Sequence, residues 1–178
     1  EIESLYLDLI ARARRTIYAE SQYFASRKIA EAIARRLEEP DGPEIVIVNP
    51  ESAEDWLEQT AMDTARARLV EALRARDKHG RLRIYHPFTA GGAAIYVHAK
   101  ILVIDEAVIR IGSSNFNNRS LRLDTECDVA IEAADDVLAG RPCLPQALLD
   151  RVVPAGTRRL PGEEAGDAVV RLGRTLHG

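Results

Sequence analysis

Ala94-Ile95-Tyr96-Val97-His98-Ala99-Lys100-Ile101-Leu102-Val103-Ile104-Asp105-Glu106-Ala107-Val108-Ile109-Arg110-Ile111 carries three β-type signals in close succession, at 94–98, 100–104 and 107–111. No helix fits between them, so a sheet containing them is mixed rather than purely parallel. Upstream the rhythm differs. Ile2, Leu5, Leu9 and Ala13 recur at helical spacing before a β-branched and aromatic strand at 16–19. Ile29, Ile33 and Leu37 mark a second amphipathic helix, stopped by Pro40-Asp41-Gly42-Pro43, and 45–48 is apolar throughout, as in a strand covered on both faces. Ser52 with Asp55 opens a long third helix in the manner of a capping box, with Met62, Ala65, Leu69 and Leu73 as its buried stripe. Strands follow at 82–85 and, beyond the quoted run, at 125–131. Helices alternating with strands, then clustered strands, predict the α/β class: a three-layer α/β/α sandwich with a mixed β-sheet.

The 178 residues suit one domain, with a core over about 1–150 and a C-terminal extension over about 151–178. Beyond about residue 134 the chain is richer in Gly, Pro and Arg and carries helix patterns near 146–152 and 163–176. A composition 46% hydrophobic and 29% charged excludes disordered and low-complexity classes. No apolar run approaches the ~18 residues of a membrane span, and no internal repeat is visible. The net charge of −4 has the wrong sign for a chain that lives by phosphate contacts along nucleic acid, although a local basic site fits it. Cys127 and Cys143 form no C-x2-C pair, which indicates neither zinc nor a disulfide framework and suits a reducing compartment. The first residue is Glu1, without an initiator Met or a leader pattern, and the expectation is a piece of a longer chain.

The basic residues are 21 Arg and only 3 Lys. One of those lysines, Lys100, stands two residues from His98 in an H-x-K-x4-D run that closes on Asp105. The run reads as a strand, on which His98 and Lys100 emerge on one face, about 6.5–7 Å apart along it. Gly112-Ser113-Ser114-Asn115-Phe116-Asn117-Asn118-Arg119-Ser120 follows the next strand and holds three of the chain's four asparagines. Hydroxyls, amides and free backbone N–H groups at a strand end make an anion cradle. Glu126, opening the last strand, is a carboxylate able to orient a histidine ring.

Each feature alone has a plainer explanation. Histidines on strands are mostly structural, and His79, His86 and His177 are read so. Ser/Asn-rich loops are mostly turns, and a lone glutamate is mostly a solvated edge residue. Their conjunction within one short span selects a phosphate-handling site.

The sequence also resembles the phospholipase D superfamily. The family signature H-x-K-x4-D-x6-G-S-x-N is met by His98, Lys100, Asp105, Gly112, Ser113 and Asn115 with every spacing kept. Ile17-Tyr18-Ala19-Glu20-Ser21-Gln22-Tyr23-Phe24, Trp56-Leu57-Glu58 and Leu123-Asp124-Thr125-Glu126 are similar to stretches of the C-terminal half of phospholipase D proper, with Ala19 and Ser21 departing from the commonest form. The resemblance spans about residues 1–133.

It implies a phospholipase D-like fold and metal-free phosphodiester cleavage through a phosphohistidine, run by two such motifs facing each other, with no cofactor. It assigns His98, Lys100, Asn115 and Glu126 as catalytic and Lys100, Ser113 and Asn115 as the phosphate ligands. Glu126 would orient an imidazole, His98 would be general acid rather than nucleophile, and Asp105 and Gly112 would hold structure. A single motif is half an active site, so the expected partner is an N-terminal half with the other H-x-K-x4-D motif, or a second copy of the chain. The expected substrate is a phospholipid, cleaved by hydrolysis or transphosphatidylation, with the isolated piece inactive. The expected place is cytoplasmic or peripheral to a membrane. The alternatives are a one-motif homodimeric nuclease, against which the acidic balance weighs, and a non-catalytic phosphate-binding module.

Overall fold

The structure, a computed structural model, describes residues 1–51 and 56–132, with side chains omitted for 56–65. The capping box at Ser52 and everything expected of the tail, including Cys143 and His177, lie outside the described residues, as do the side chains of the stripe residues Met62 and Ala65.

The elements run α1 (Ile2–Arg12), β1 (Thr16–Glu20), α2 (Arg27–Glu38), β2 (Glu44–Val48), α3 (Trp56–Arg76), β3 (Leu82–Tyr85), β4 (Ile101–Ile104), β5 (Val108–Gly112), α4 (Asn118–Arg122) and β6 (Asp128–Glu132). The strands form one sheet in the order β3-β2-β1-β4-β5-β6. β1, β2 and β3 are parallel, joined by the crossover helices α2 and α3; β4, β5 and β6 are antiparallel to their neighbours. The mixed α/β architecture is therefore as the sequence predicts.

Alternation along the strands builds two apolar clusters. Ile17, Ala19, Ile45, Ile47, Leu102 and Ile104 point to one face, where they pack with Leu9 and Ile10 of α1, Ile29, Ile33 and Leu37 of α2, Leu73 of α3 and Leu121 of α4. Each such aliphatic side chain, fully buried, contributes about 1.5–3 kcal/mol. Tyr18, Val46, Val48 and Tyr85 point to the other face and are covered by Val97. Farther along this second face Ile111, Val129 and Ile131 are exposed. Among the described residues all four helices contribute to the first cluster.

Two polar devices pin the frame. Ser26 caps α2 by accepting from the Ile29 amide at 3.4 Å. Past the other end of that helix, the Arg81 guanidinium donates to the carbonyls of Leu37 at 3.0 Å and Gly42 at 2.6 Å, satisfying acceptors that a helix end leaves open.

One expected strand is absent. Residues 94–98 form no ladder; only Ala94 makes an isolated bridge, to Phe88, and β4 begins at Ile101. Val97 is buried while Tyr96 and His98 are not, so the alternation in the sequence is a real alternation of burial in an irregular segment crossing the second face. His98 is therefore not on a strand.

Candidate active site

The topology gathers the chemistry at one end of the sheet. β4 runs antiparallel to β1, so Lys100, just before β4, comes beside Gln22, just after β1. β5 runs back to the same end and delivers Gly112 and the 113–115 loop; β6 starts there, just after Glu126.

Lys100 is held from three sides. Its ammonium donates to the His98 carbonyl at 2.8 Å and to Gln22 Oε1 at 3.3 Å. Its own carbonyl accepts from the Gly112 amide at 3.2 Å and from Arg110 Nη1 at 3.0 Å. Burial pushes the ammonium below the ordinary lysine range; Glu126 opposes the shift and Arg110 adds to it. A partly desolvated ammonium is well suited to a phosphate oxygen, which restores the charge interactions that water supplied.

His98 is exposed, and its ring stacks on Tyr96 with centroids 6.4 Å apart and planes inclined by 21°. The Tyr96 hydroxyl accepts from Gln22 Nε2 at 2.6 Å, so one amide addresses both the lysine and the ring beside the histidine. Sequence reasoning gave Gln22 no role.

Across from them, the Ser113 hydroxyl donates to Glu126 Oε2 at 2.5 Å and accepts from the Cys127 amide at 3.0 Å. Glu126 thus meets Ser113 rather than the His98 ring. Asn115 is only 8% exposed, and its Oδ1 is buried with no hydrogen-bond partner among the described residues. An orphaned buried amide oxygen is costly, and this one stands in the loop beside Ser113. Ser21 is buried too; its hydroxyl accepts from the Phe116 amide at 3.2 Å and donates to the Tyr23 carbonyl at 2.8 Å, anchoring the far side of the loop.

The other two signature residues act at a distance from these groups or through backbone fit. Asp105 lies at the opposite end of β4, about 17 Å from Lys100 at strand rise. With Glu106 it forms the β4–β5 turn, at φ 51° and 65°, closed by the Ala107 amide on the Ile104 carbonyl at 2.9 Å. Its carboxylate accepts from the amides of Arg14 at 2.7 Å, Arg15 at 2.6 Å and Thr16 at 2.8 Å. Gly112 is required by closeness: a Cβ there would fall 2.5 Å from the Cys127 carbonyl and 2.7 Å from Asp128 Cα.

Behind the loop is a buried polar cluster that sequence reasoning also missed. Arg110 is fully buried, paired with Asp128 and bonded to Ser114, and its guanidinium sits 4.6 Å over the Tyr6 ring. The signal was available, since Arg110 occupies the core-facing phase of β5 with Val108. A cavity of about 490 Å³ between α3 and β3 is lined by Arg66, Val70, Arg74, Ile84 and His86 among others, and by none of the groups above. Among the described residues no cluster of three or more His, Cys, Asp or Glu side chains is placed to hold a metal ion.

The chain is similar to several known proteins. Residues 6–139 match the family described as "Cardiolipin synthase, PLD-like domain". Phospholipase D zeta 2 of Arabidopsis thaliana is 29% identical over 174 residues, covering 74% of this chain and 17% of its own length. The chain spans between a tenth and a quarter of the length of the curated relatives it matches. Among solved structures, phosphatidylserine synthase of Haemophilus influenzae superposes with a TM-score of 0.61 at 20% identity, over 78% of this chain and 33% of that one. Nuc of Salmonella typhimurium, a phospholipase D family member, gives 0.54 at 18% identity, over 75% of this chain and 77% of that one. These two likenesses carry the fold, and the match over most of the chain carries the family: the chain belongs to the phospholipase D superfamily, of which it is a phospholipase D-like domain.

Proposed function

We propose that the chain is the C-terminal half of a phospholipase D-like phosphodiesterase and transphosphatidylase acting on phospholipids. The observation that carries this is the convergence of His98, Lys100, Ser113, Asn115 and Glu126 at one end of the sheet. An imidazole of the complementary motif attacks phosphorus, and the P–O bond to the leaving alcohol breaks as His98 gives that oxygen its proton. His98 then takes a proton from water or an acceptor alcohol, whose oxygen displaces the first imidazole and breaks the P–N bond. Lys100, Ser113 and Asn115 hold the non-bridging oxygens as charge builds on them. Glu126 engages Ser113 through Oε2, leaving Oε1 to accept from an imidazole N–H.

Phospholipid substrates are favoured by the relatives, a phospholipase D and a phosphatidylserine synthase among them, and by the acidic balance of the chain. Contact with a bilayer is then peripheral, since no described helix is long and apolar enough to cross a membrane. The test is phosphatidylcholine cleavage by the intact protein: turnover resistant to chelators and lost in His98→Ala is expected, with none from residues 1–178 as a monomer. Robust turnover by that monomer overturns the half-site assignment, and chelator-sensitive turnover overturns the metal-free chemistry. A second reading, a self-pairing nuclease, draws on the chain covering 77% of Nuc; DNA cleavage by a homodimer would establish it instead.

A further inference from the structure

Arg110 has no exposed surface, although it stands in β5 on the face packed against α1. A guanidinium keeps its charge when buried, and the desolvation cost is offset only by an opposite charge and hydrogen bonds, which among the described residues Arg110 makes through Nη1 and Nη2 but not Nε. Asp128 supplies the charge from β6, its side chain 1% exposed. The remaining bonds do not end in the core. Arg110 Nη1 donates to the Lys100 carbonyl at 3.0 Å, and Nη2 donates to the Ser114 carbonyl at 3.4 Å and to the Ser114 hydroxyl. Asp128 accepts from the Ser114 hydroxyl at 2.5 Å and from the Ser114 amide at 3.3 Å. The Tyr6 hydroxyl donates to the Ser114 carbonyl at 3.0 Å, and burial pushes that phenol up to about 12, so it stays a donor at neutral pH. One buried pair therefore reaches both walls of the site, the backbone of Lys100 and the loop that carries Ser113 and Asn115.

We propose that Arg110 and Asp128 are positioning residues for phosphoryl transfer, fixing the spacing between Lys100 and the 113–115 loop so that ammonium, hydroxyl and amide are preset for one phosphate. The proposal rests on the phosphodiesterase reading above and gives a role to two residues outside the H-x-K-x4-D-x6-G-S-x-N signature. Being closed off from solvent, neither charge meets the substrate. Their effect is on geometry, where a displacement of about 1 Å costs on the order of a hundredfold in rate.

Arg110→Lys is the discriminating variant. It keeps a cation opposite Asp128, but one ammonium does not span Lys100 and Ser114 as the guanidinium fork does. In the intact protein acting on bis(p-nitrophenyl) phosphate, kcat falls about tenfold or more while KM stays within about threefold, as expected when only transition-state alignment is lost. Amide hydrogen exchange at 112–116 quickens while β1 and β2 keep wild-type protection. If Arg110→Lys does not fold, the double variant Arg110→Met/Asp128→Leu, which strands no buried charge, gives the same readouts. A folded variant with wild-type kcat and unchanged exchange overturns the proposal. A wild-type protein that leaves the phosphodiester intact overturns the phosphodiesterase reading instead. Exchange then decides the positioning role alone: quickening at 112–116 upholds it, and no change overturns it.

Discussion

Ser113 and Glu126 are bonded to each other: the hydroxyl donates to Oε2 at 2.5 Å while accepting from the next residue's amide, that of Cys127, at 3.0 Å. A hydroxyl expected to hold phosphate is thus also the group that fixes the carboxylate. Ser113→Ala is expected to lower kcat about tenfold, the scale of one hydrogen bond to a charged group. In a cycle with Glu126→Gln the two losses fall short of adding, with a coupling of about 1–2 kcal/mol. Additive losses in steady-state kinetics on the intact protein would show that the two side chains act separately.

His98 is exposed, and its ring stacks on Tyr96 outside both apolar clusters. His98→Ala is expected to reduce turnover by about a thousandfold or more, with circular dichroism and melting temperature as in wild type. Activity near wild type removes His98 from the chemistry.

Lys100 carries a pH signature. Its folded-state proton affinity lies below the ordinary lysine value of 10.5, chiefly through burial, so the unfolded chain binds the proton more tightly. Stability contributed at this position therefore rises with pH, from the lowered folded value up to about 10.5. The stability of wild type minus that of Lys100→Met should climb across that window. Urea midpoints at a series of pH values read the slope, and a flat or falling difference contradicts it.

Glu3 works in the opposite range. Hydrogen bonds from Arg122 at 2.6 Å and Lys28 at 2.7 Å lower its carboxyl from 4.5 to about 2, tying α1 to α4 and α2. Its contribution is present above 4.5 and is lost as pH falls toward about 2. Glu3→Gln should flatten the acid limb of the stability curve between those values, and added salt should shrink the difference because the group is at the surface. An acid limb identical in the variant rules the contribution out.

Gly112→Ala places a methyl against the Cys127 carbonyl and the Asp128 backbone. A loss of about 1–3 kcal/mol is expected from overpacking at the β5–β6 pair, measured by chemical denaturation. A neutral result means that β6 moves away at little cost.

Much of this was legible because burial writes a period into sequence. The stripes of α2 and the unbroken apolar run of β2 are such records. Residues 94–98 show the limit, since Val97 between Tyr96 and His98 alternates as a strand does, but hydrogen-bond partners are not encoded in alternation. α4 is five residues long, too short for a period, and its only trace is Asn117 three residues before Ser120, whose amide it caps at 2.8 Å. The signature spacing gave Lys100, Ser113 and Asn115 directly. It gave neither Gln22 nor Arg110, which reach the site from β1 and β5 through tertiary contacts that no linear spacing records.

The β1–β4 pairing has a kinetic meaning as well. It joins a parallel unit built of local crossovers to a hairpin unit built of short turns, and its register sets Glu20 against Ile101, 81 residues further along the chain. Each unit closes on contacts near in sequence, whereas this seam closes a long loop and is expected to form slowly. Gln22 and Lys100 lie on opposite sides of it. The proposed phosphate site is then the last part to mature during folding, and its return reports the closing of the seam rather than the formation of either half.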